Sequence, residues 1–325
     1  MDDQLAQLRA AGEPTRLRLL RLLRSAELTV TELTAITRQR QPGVSRHLRV
    51  LCEAGLVTRH QEGAWAFYRA SAPGDLDAYL AEASGDAFAS DEAGLAQVTR
   101  DRADVAARYF AAQAAQWEAV RALHLPTAAI EAEIARLCEE VAAGGRLGKV
   151  VDLGTGTGRM LVLLDGLYEE AVGYDTSPEM LSVARAELAS AGVVRARVRR
   201  GDLFEVEDAD APDLVVLHHV LHFLGAPEAA VRRAVGLAAG GHVLIADFGP
   251  HDREELRERH EHRRLGFSDA EIARWAAASG ARVMRTRTLP PPDEDGLTAK
   301  LWLLGPGARS RTPSPLTEED RHVAA

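Results

Sequence analysis

A chain of 325 residues is long enough for two or more domains of about 100 to 200 residues each, and 46% hydrophobic with 27% charged residues excludes disorder for its bulk. No apolar run approaches the roughly 18 residues that span a bilayer, and the opening MDDQLAQLRAAGEPTR lacks a leader's apolar core, so a cytoplasmic protein is expected. Cys52 and Cys138 are the only cysteines, too few for a disulfide framework or a thiolate zinc cluster. The net charge of -9 conceals an asymmetry. Residues 1–70 carry 11 arginines against 7 acidic residues, a surplus of +4, and the remainder carries -13. A basic module on an acidic body is the balance of a DNA-reading domain joined to a ligand-binding one.

Leu5, Leu8, Leu17, Leu20 and Leu23 follow a helical period broken at Gly12-Glu13-Pro14-Thr15, which predicts two short helices. Thr31 begins a further helix, TELTAITR; Gln41-Pro42-Gly43 reads as a turn, and VSRHLRVLCEAG is a second helical run ending at Gly55. Val44, Leu48 and Leu51 face inward there, leaving Ser45, Arg46 and Arg49 outside. LVTRHQEGAWAFYRAS alternates on both sides of Glu62-Gly63, the pattern of a tight hairpin, here a wing. Residues 75–145, rich in Ala, Glu and Arg with Tyr109, Phe110 and Trp117 at helical spacings, read as linking helices whose apolar stripes serve packing or a dimer surface.

From Gly148 strands and helices alternate (KVVDLG, AVGYD, ARVRRGD, DLVVLHH, HVLIADF), implying a parallel sheet covered on both faces. ARVMRTRTL and LTAKLWLL have no helix between them and should pair antiparallel. The tail from Gly305 is Pro, Ser, Gly and charge, and is expected to be disordered. The expected organisation is a DNA-binding domain over 1–72, a helical and dimerising region over 73–145, a ligand domain over 146–304 and a tail over 305–325.

Val150-Val151-Asp152-Leu153-Gly154-Thr155-Gly156-Thr157-Gly158 sets three glycines where a buried strand turns into a helix, allowing tight turning and close ligand approach. The dinucleotide fingerprint would want glycine at position 159, where Arg159 stands. Asp175, 21 residues after Gly154, is at the distance for a carboxylate to accept both ribose hydroxyls. A nucleoside without a diphosphate fits both facts.

Residues 148–304 resemble the class I S-adenosylmethionine (SAM) dependent methyltransferases through five motifs in order: VDLGTGTGRM, GYDTSPEM, RRGDLF, DLVVLHHVLHFL and AAGGHVLIADF. The resemblance implies a Rossmann-like seven-stranded sheet. It also implies that Gly154, Gly156 and Gly158 line the methionine and ribose parts, that Asp152 lies near the amino group, that Asp175 with Thr176 holds the ribose, that Asp202 with Leu203 contacts adenine, and that His218 lies at the methyl-bearing end. His218, His219 and His222 after the fourth strand, and His251 after the fifth, are candidate bases for methyl transfer. No metal site is expected: His260 and His262 are two apart, which on a helix points them away from one another, on what reads as a solvated charged helix.

Residues 8–70 resemble the winged helix-turn-helix repressors of the ArsR family, in EPTRLRLLRLL, ELTVTEL, QPGVSRHLRVLCEAGLV and TRHQEGAWAFYR. By that resemblance Gln41, Ser45, Arg46 and Arg49 face the major groove, while Arg59 and the tip near Glu62 and Gly63 approach phosphate or the minor groove. Arsenic sensors of the family place cysteines where this chain has Thr29 and Thr31, which cannot hold a soft ion. The combined fold class is α/β plus α+β, a winged helix-turn-helix ahead of a methyltransferase sheet. The functional expectation is a homodimeric repressor that binds operator DNA and is regulated by SAM or S-adenosylhomocysteine; the alternative is an active small-molecule methyltransferase with an accessory winged helix.

Overall fold

The break at Gly12-Glu13-Pro14-Thr15 separates α1 (Asp2–Ala11) from α2 (Pro14–Ser25) in the computed structural model, which describes residues 2–62, 65–71, 80, 85–112, 127–206, 211–260, 262–291 and 296–307. Trp117, Gly63 and the tail beyond residue 307 lie outside the described residues, as do the side chains of Tyr109 and Phe110. Proline opens α2 because a first-turn N–H has no helical partner to lose. Glu13 caps that helix, accepting the Arg16 N–H at 3.0 Å. A strand of two residues, β1 (Leu28–Thr29), leads into α3 (Val30–Thr37), which starts on a capping box between Thr29 and Glu32.

Gln41-Pro42-Gly43 is not a free turn. It forms the first turn of α4 (Gln41–Glu53), where a missing proline N–H does no harm. Val44, Leu48 and Leu51 of α4 are buried against Leu19, Leu23 and Leu33. The hairpin of β2 (Val57–Glu62) and β3 (Trp65–Ala70) forms as the alternation predicts, and β1 adds antiparallel to β3. The long helix α5 (Asp86–Ala112) is fastened to this module by the Arg18–Asp91 pair at 2.6 Å and the Arg102–Glu32 pair at 2.7 Å. Gly94 lets it lie close to α3, since a Cβ there would sit 3.0 Å from Ile36 Cγ2.

After α6 (Thr127–Ala142), the chain builds β4 (Leu147–Leu153), α7 (Arg159–Leu163), β5 (Tyr168–Asp175), α8 (Pro178–Ser190), β6 (Ala196–Arg200) and β7 (Leu214–His218). Next come α9 (Pro227–Ala238), β8 (His242–Phe248), α10 (Glu255–His260), α11 (Asp269–Ala278), β9 (Ala281–Leu289) and β10 (Ala299–Pro306). The seven-stranded sheet runs β6-β5-β4-β7-β8-β10-β9, with β4 to β8 parallel and β10 antiparallel to both neighbours. β10 reaches Pro306, past the boundary expected at 304.

Successive strand residues feed opposite faces. Val150, Val216 and Leu244 join the core under α6 and α8, while Val151, Val215 and Ile245 join the one under α9 and α11. Strand order reverses between β4 and β7, and such switch points open a crevice at the carboxyl ends of the strands. Among the described residues no helix is long and apolar enough to cross a membrane.

Candidate nucleoside crevice and DNA-reading face

All three loop glycines have positive φ, 75° at Gly154, 51° at Gly156 and 76° at Gly158. Gly154 has a second constraint, because a Cβ there would meet Val220 Cγ2 at 2.5 Å. That contact sets the loop after β7 against the glycine loop. Asp175, ending β5, reaches back to the glycine loop after β4: its Oδ2 accepts the Gly156 N–H and its Oδ1 the Ser177 N–H, each at 2.9 Å. A carboxylate has about four acceptor positions, so each oxygen keeps one for a hydroxyl. Two adjacent hydroxyls are what a ribose edge presents.

Asp152 lies beneath the loop. Its Oδ2 accepts the Thr155 hydroxyl at 2.6 Å, while Oδ1 is buried with no hydrogen-bond partner. Burial pushes this carboxyl up to about 7, and the charge of Asp175 adds to the effect. A cationic donor would satisfy the open oxygen. Thr176 is exposed beside Asp175. Asp175 pairs with Arg200 across β5 and β6, and Gly201 donates its N–H to the Asp175 carbonyl at 3.0 Å, so the next turn flanks the ribose position. In that turn Asp202 is exposed and accepts the Phe204 N–H at 2.9 Å, and Leu203 is buried.

On the other wall, His218 ends β7, His219 follows with φ 53°, and His222 is buried in a 3-10 turn. Asp247, near the end of β8, holds that turn: it accepts the Leu221 N–H at 3.0 Å and the Phe248 N–H at 2.8 Å, and bonds His222 Nδ1 at 2.8 Å. Burial acts to raise the Asp247 carboxyl, but His222, His219 and the Phe248 N–H outweigh it and hold it below its usual range. Burial pushes the imidazoles down, His218 to about 4 and His219 to about 3, so both are neutral near pH 7. The expectation of a solvated helix through His260 and His262 needs correction. α10 ends at His260, and His262 is buried with its ring centroid 4.3 Å from that of His222. His251 borders the same cluster, 6.0 Å from Phe248.

The helix-turn-helix presents Gln41, Arg46 and Arg49 as exposed residues along α4, with Ser45 partly covered. Arg59 on β2 is exposed and donates to Gln61. Thr29 is the buried N-cap of α3 rather than a ligand position facing outward, and Thr31 is exposed. The wing departs from expectation at its tip.

Glu62, the last residue of β2, is turned into the methyltransferase-like half, where Arg185 Nη2 of α8 donates to its two oxygens at 2.7 and 2.8 Å. Arg200 N–H donates to the same carboxylate at 3.2 Å. Glu27 lies deeper, paired with Arg199 and with Arg185 Nε at 3.4 Å, while the Arg185 guanidinium sits 3.9 Å over the Phe67 ring of β3. Arg69 of β3 donates to the Ala196 carbonyl of β6. Side-chain exposure in the four-membered ion cluster is 10% or less. Burial acts to raise Glu27, but Arg199 and Arg185 outweigh it and hold it ionised.

Sequence reasoning brought together Asp152, the three glycines, Asp175 and the histidines, and missed Asp247, His262, Glu27, Glu62 and Arg185 as partners. Two of these carried a signal. Asp247 is the one acid in the strand HVLIADF, and Arg185 lies on the stripe of Leu181 and Leu188 in α8.

Comparison with known proteins gives two family matches: "Bacterial regulatory protein, arsR family" over residues 13–59 and "Methyltransferase domain" over residues 124–286. A trans-aconitate 2-methyltransferase of Paracidovorax citrulli is 34% identical over 164 residues, 50% of this chain and 57% of that protein. An uncharacterized HTH-type transcriptional regulator of Methanocaldococcus jannaschii is 39% identical over 61 residues, 18% of this chain and 68% of that protein. The chain spans about half the length of the methyltransferase relatives it matches. Among solved structures, the N-methyltransferase NodS of Bradyrhizobium japonicum in complex with S-adenosylhomocysteine aligns with a TM-score of 0.44 at 15% identity, covering 55% of this chain and 87% of that one.

Proposed function

The chain belongs to the methyltransferase-domain family and carries an arsR-family regulatory segment ahead of that domain, and on this basis we propose that it is a cytoplasmic transcriptional repressor whose operator affinity is set by SAM or S-adenosylhomocysteine. The observation that carries the reading is where the wing is fastened. Arg185 belongs to α8, the helix that starts at the Ser177 cap held by Asp175. Arg199 and Arg200 end β6, immediately before the Asp202-Leu203 turn. Glu27 and Glu62 therefore tie the DNA-binding module to the two elements that lead out of the ribose and adenine positions. A ligand that reorients Asp175 or the 201–203 turn acts on the wing through rigid elements and a buried ion cluster.

In this reading Asp175 with Thr176 receives the ribose, Asp202 and Leu203 receive adenine, the three glycines admit the chain close to the backbone, and His218 borders the sulfur end. Asp152 Oδ1, a buried acceptor without a donor, suits the ammonium of the methionyl part. On the DNA side, Arg46 and Arg49 read base edges with Gln41 and Ser45, and Arg59 contacts the backbone. The protein acts as a homodimer, a reading supported by Leu5 and Leu8 of α1, 45% and 56% exposed one turn apart.

A second reading, methyl transfer to a small molecule, is favoured by the His222–Asp247 pair, which a pure sensor does not need. SAM supplies an electrophilic methyl when bound. His222, oriented through Nδ1 by Asp247, would take a proton from the acceptor, while burial makes His218 and His219 much weaker bases for the same task.

The test is an operator selected from a random duplex pool, its affinity measured by anisotropy with and without each ligand, alongside methyl transfer to trans-aconitate. Saturating ligand should change operator affinity by about 5- to 150-fold, and Asp175→Ala should abolish the change. Constant affinity with measurable methyl transfer would replace the first reading by the second.

A further inference from the structure

Five histidines gather beside the crevice, more than nucleoside binding requires. The rings of His218 and His219 are 4.5 Å apart, His219 and His222 6.1 Å, and His222 and His262 4.3 Å. Phe248 lies among them, 5.0 Å from His219 and 4.8 Å from His222. Within this group His219, His222 and Asp247 each offer one ligand atom within 4.8 Å of the other two.

His219 Nδ1 is buried and has no hydrogen-bond partner. Its backbone is held in the left-handed region, φ 53°, with its N–H donated to the Ala246 carbonyl at 2.8 Å. A residue other than glycine held in that region is strained, and such strain concentrates at functional sites. Asp247 has three hydrogen bonds, from Leu221, Phe248 and His222, out of about four acceptor positions on a carboxylate, so one is open.

We propose that His219, His222 and Asp247 form a binding site for one divalent first-row transition ion, zinc or a neighbour, with open coordination positions beside the glycine loop. Two imidazole nitrogens and one carboxylate oxygen suit such an ion, whereas magnesium and calcium prefer oxygen alone. The His222–Asp247 bond at 2.8 Å holds the two side chains beside one another, and an ion bound through His222 Nδ1 displaces the proton between them. Val220, between His219 and Leu221, packs on Gly154, so the ion's remaining positions adjoin the nucleoside crevice. Oxygen atoms of a second small molecule are what those positions would take. An ion held here occupies the imidazole nitrogen that the methyl-transfer reading uses as a base, so at His222 the two roles exclude one another.

The experiment uses the full chain, free of any histidine tag and stripped with chelator, titrated calorimetrically with Zn2+, Mn2+ and Ni2+ alone; Co2+ absorption reports the ligand field. One ion per chain should bind, and His219→Ala and Asp247→Asn should each weaken it by more than the roughly 10- to 100-fold that losing an outer-shell partner costs. Asp247 also holds the 221–223 turn, so thermal melting is run on each variant, and His219→Ala decides if Asp247→Asn melts early. Absence of stoichiometric binding by the wild type, or equal binding by wild type and a folded His219→Ala, overturns the proposal.

Discussion

Asp152 has one oxygen on the Thr155 hydroxyl and the other buried without a partner, and burial raises its carboxyl to about 7. A raised acid is protonated in the native state below that value. Its contribution to stability is therefore complete below the unfolded value near 4 and is lost as pH rises through about 7. Ligand affinity runs the other way, because an ammonium pairs with the ionised form. We expect affinity for S-adenosylhomocysteine to fall about tenfold per unit as pH drops below 7, and Asp152→Asn to bind weakly with no such slope. Calorimetry from pH 6 to 8 checks both, and a flat wild-type profile would remove Asp152 from the ligand's amino group. Residues of this kind were legible: the glycines and Asp175 announce themselves through spacing along the chain. Glu27 and Glu62 did not, because a lone acid in an amphipathic stretch reads as solvent-facing until the fold brings Arg185 and Arg199 to it from more than 120 positions away.

Helix α4 shows how far periodicity carries. Val44, Leu48 and Leu51 are buried and Arg46 and Arg49 exposed, as the 3.6 period requires, while the start of the helix was misplaced because a Gln-Pro-Gly triplet has the chemistry of a turn and of a first helical turn alike. Arg49→Ala should weaken a selected operator by about 1 to 3 kcal/mol and relax preference at one base pair. A specificity profile that weakens uniformly would make Arg49 a phosphate contact instead. In the sheet, alternation of strand and helix signals located every strand from β4 to β8. The place of β10 between β8 and β9 is a pairing choice that no local pattern encodes, since an antiparallel strand can join either edge. β1 was missed for the opposite reason: two residues are too few to show a period.

The two halves of the chain meet through Arg185, Arg199, Glu27 and Glu62, and this junction gives the wing a second occupation. Its outer side keeps Arg59 and Trp65 exposed, the latter 60%, while its inner side is committed to α8 and β6. Removing one member of a buried pair leaves the other charge uncompensated, a loss of about 3 to 5 kcal/mol, so the junction has the strength to carry a coupling of about 1 to 3 kcal/mol. It was illegible in the sequence because it depends on the relative placement of two modules that each fold around a core of their own. Glu62→Gln keeps the shape of the side chain, leaves Glu27 to pair Arg185, and tests the coupling directly. The measurement is operator affinity by anisotropy from zero to saturating S-adenosylhomocysteine, with ligand binding by calorimetry confirming that the variant still takes up the ligand. The predicted result is a ligand-dependent shift of about 5- to 150-fold in the wild type that collapses in Glu62→Gln; an undiminished shift in a variant that binds both operator and ligand would contradict it.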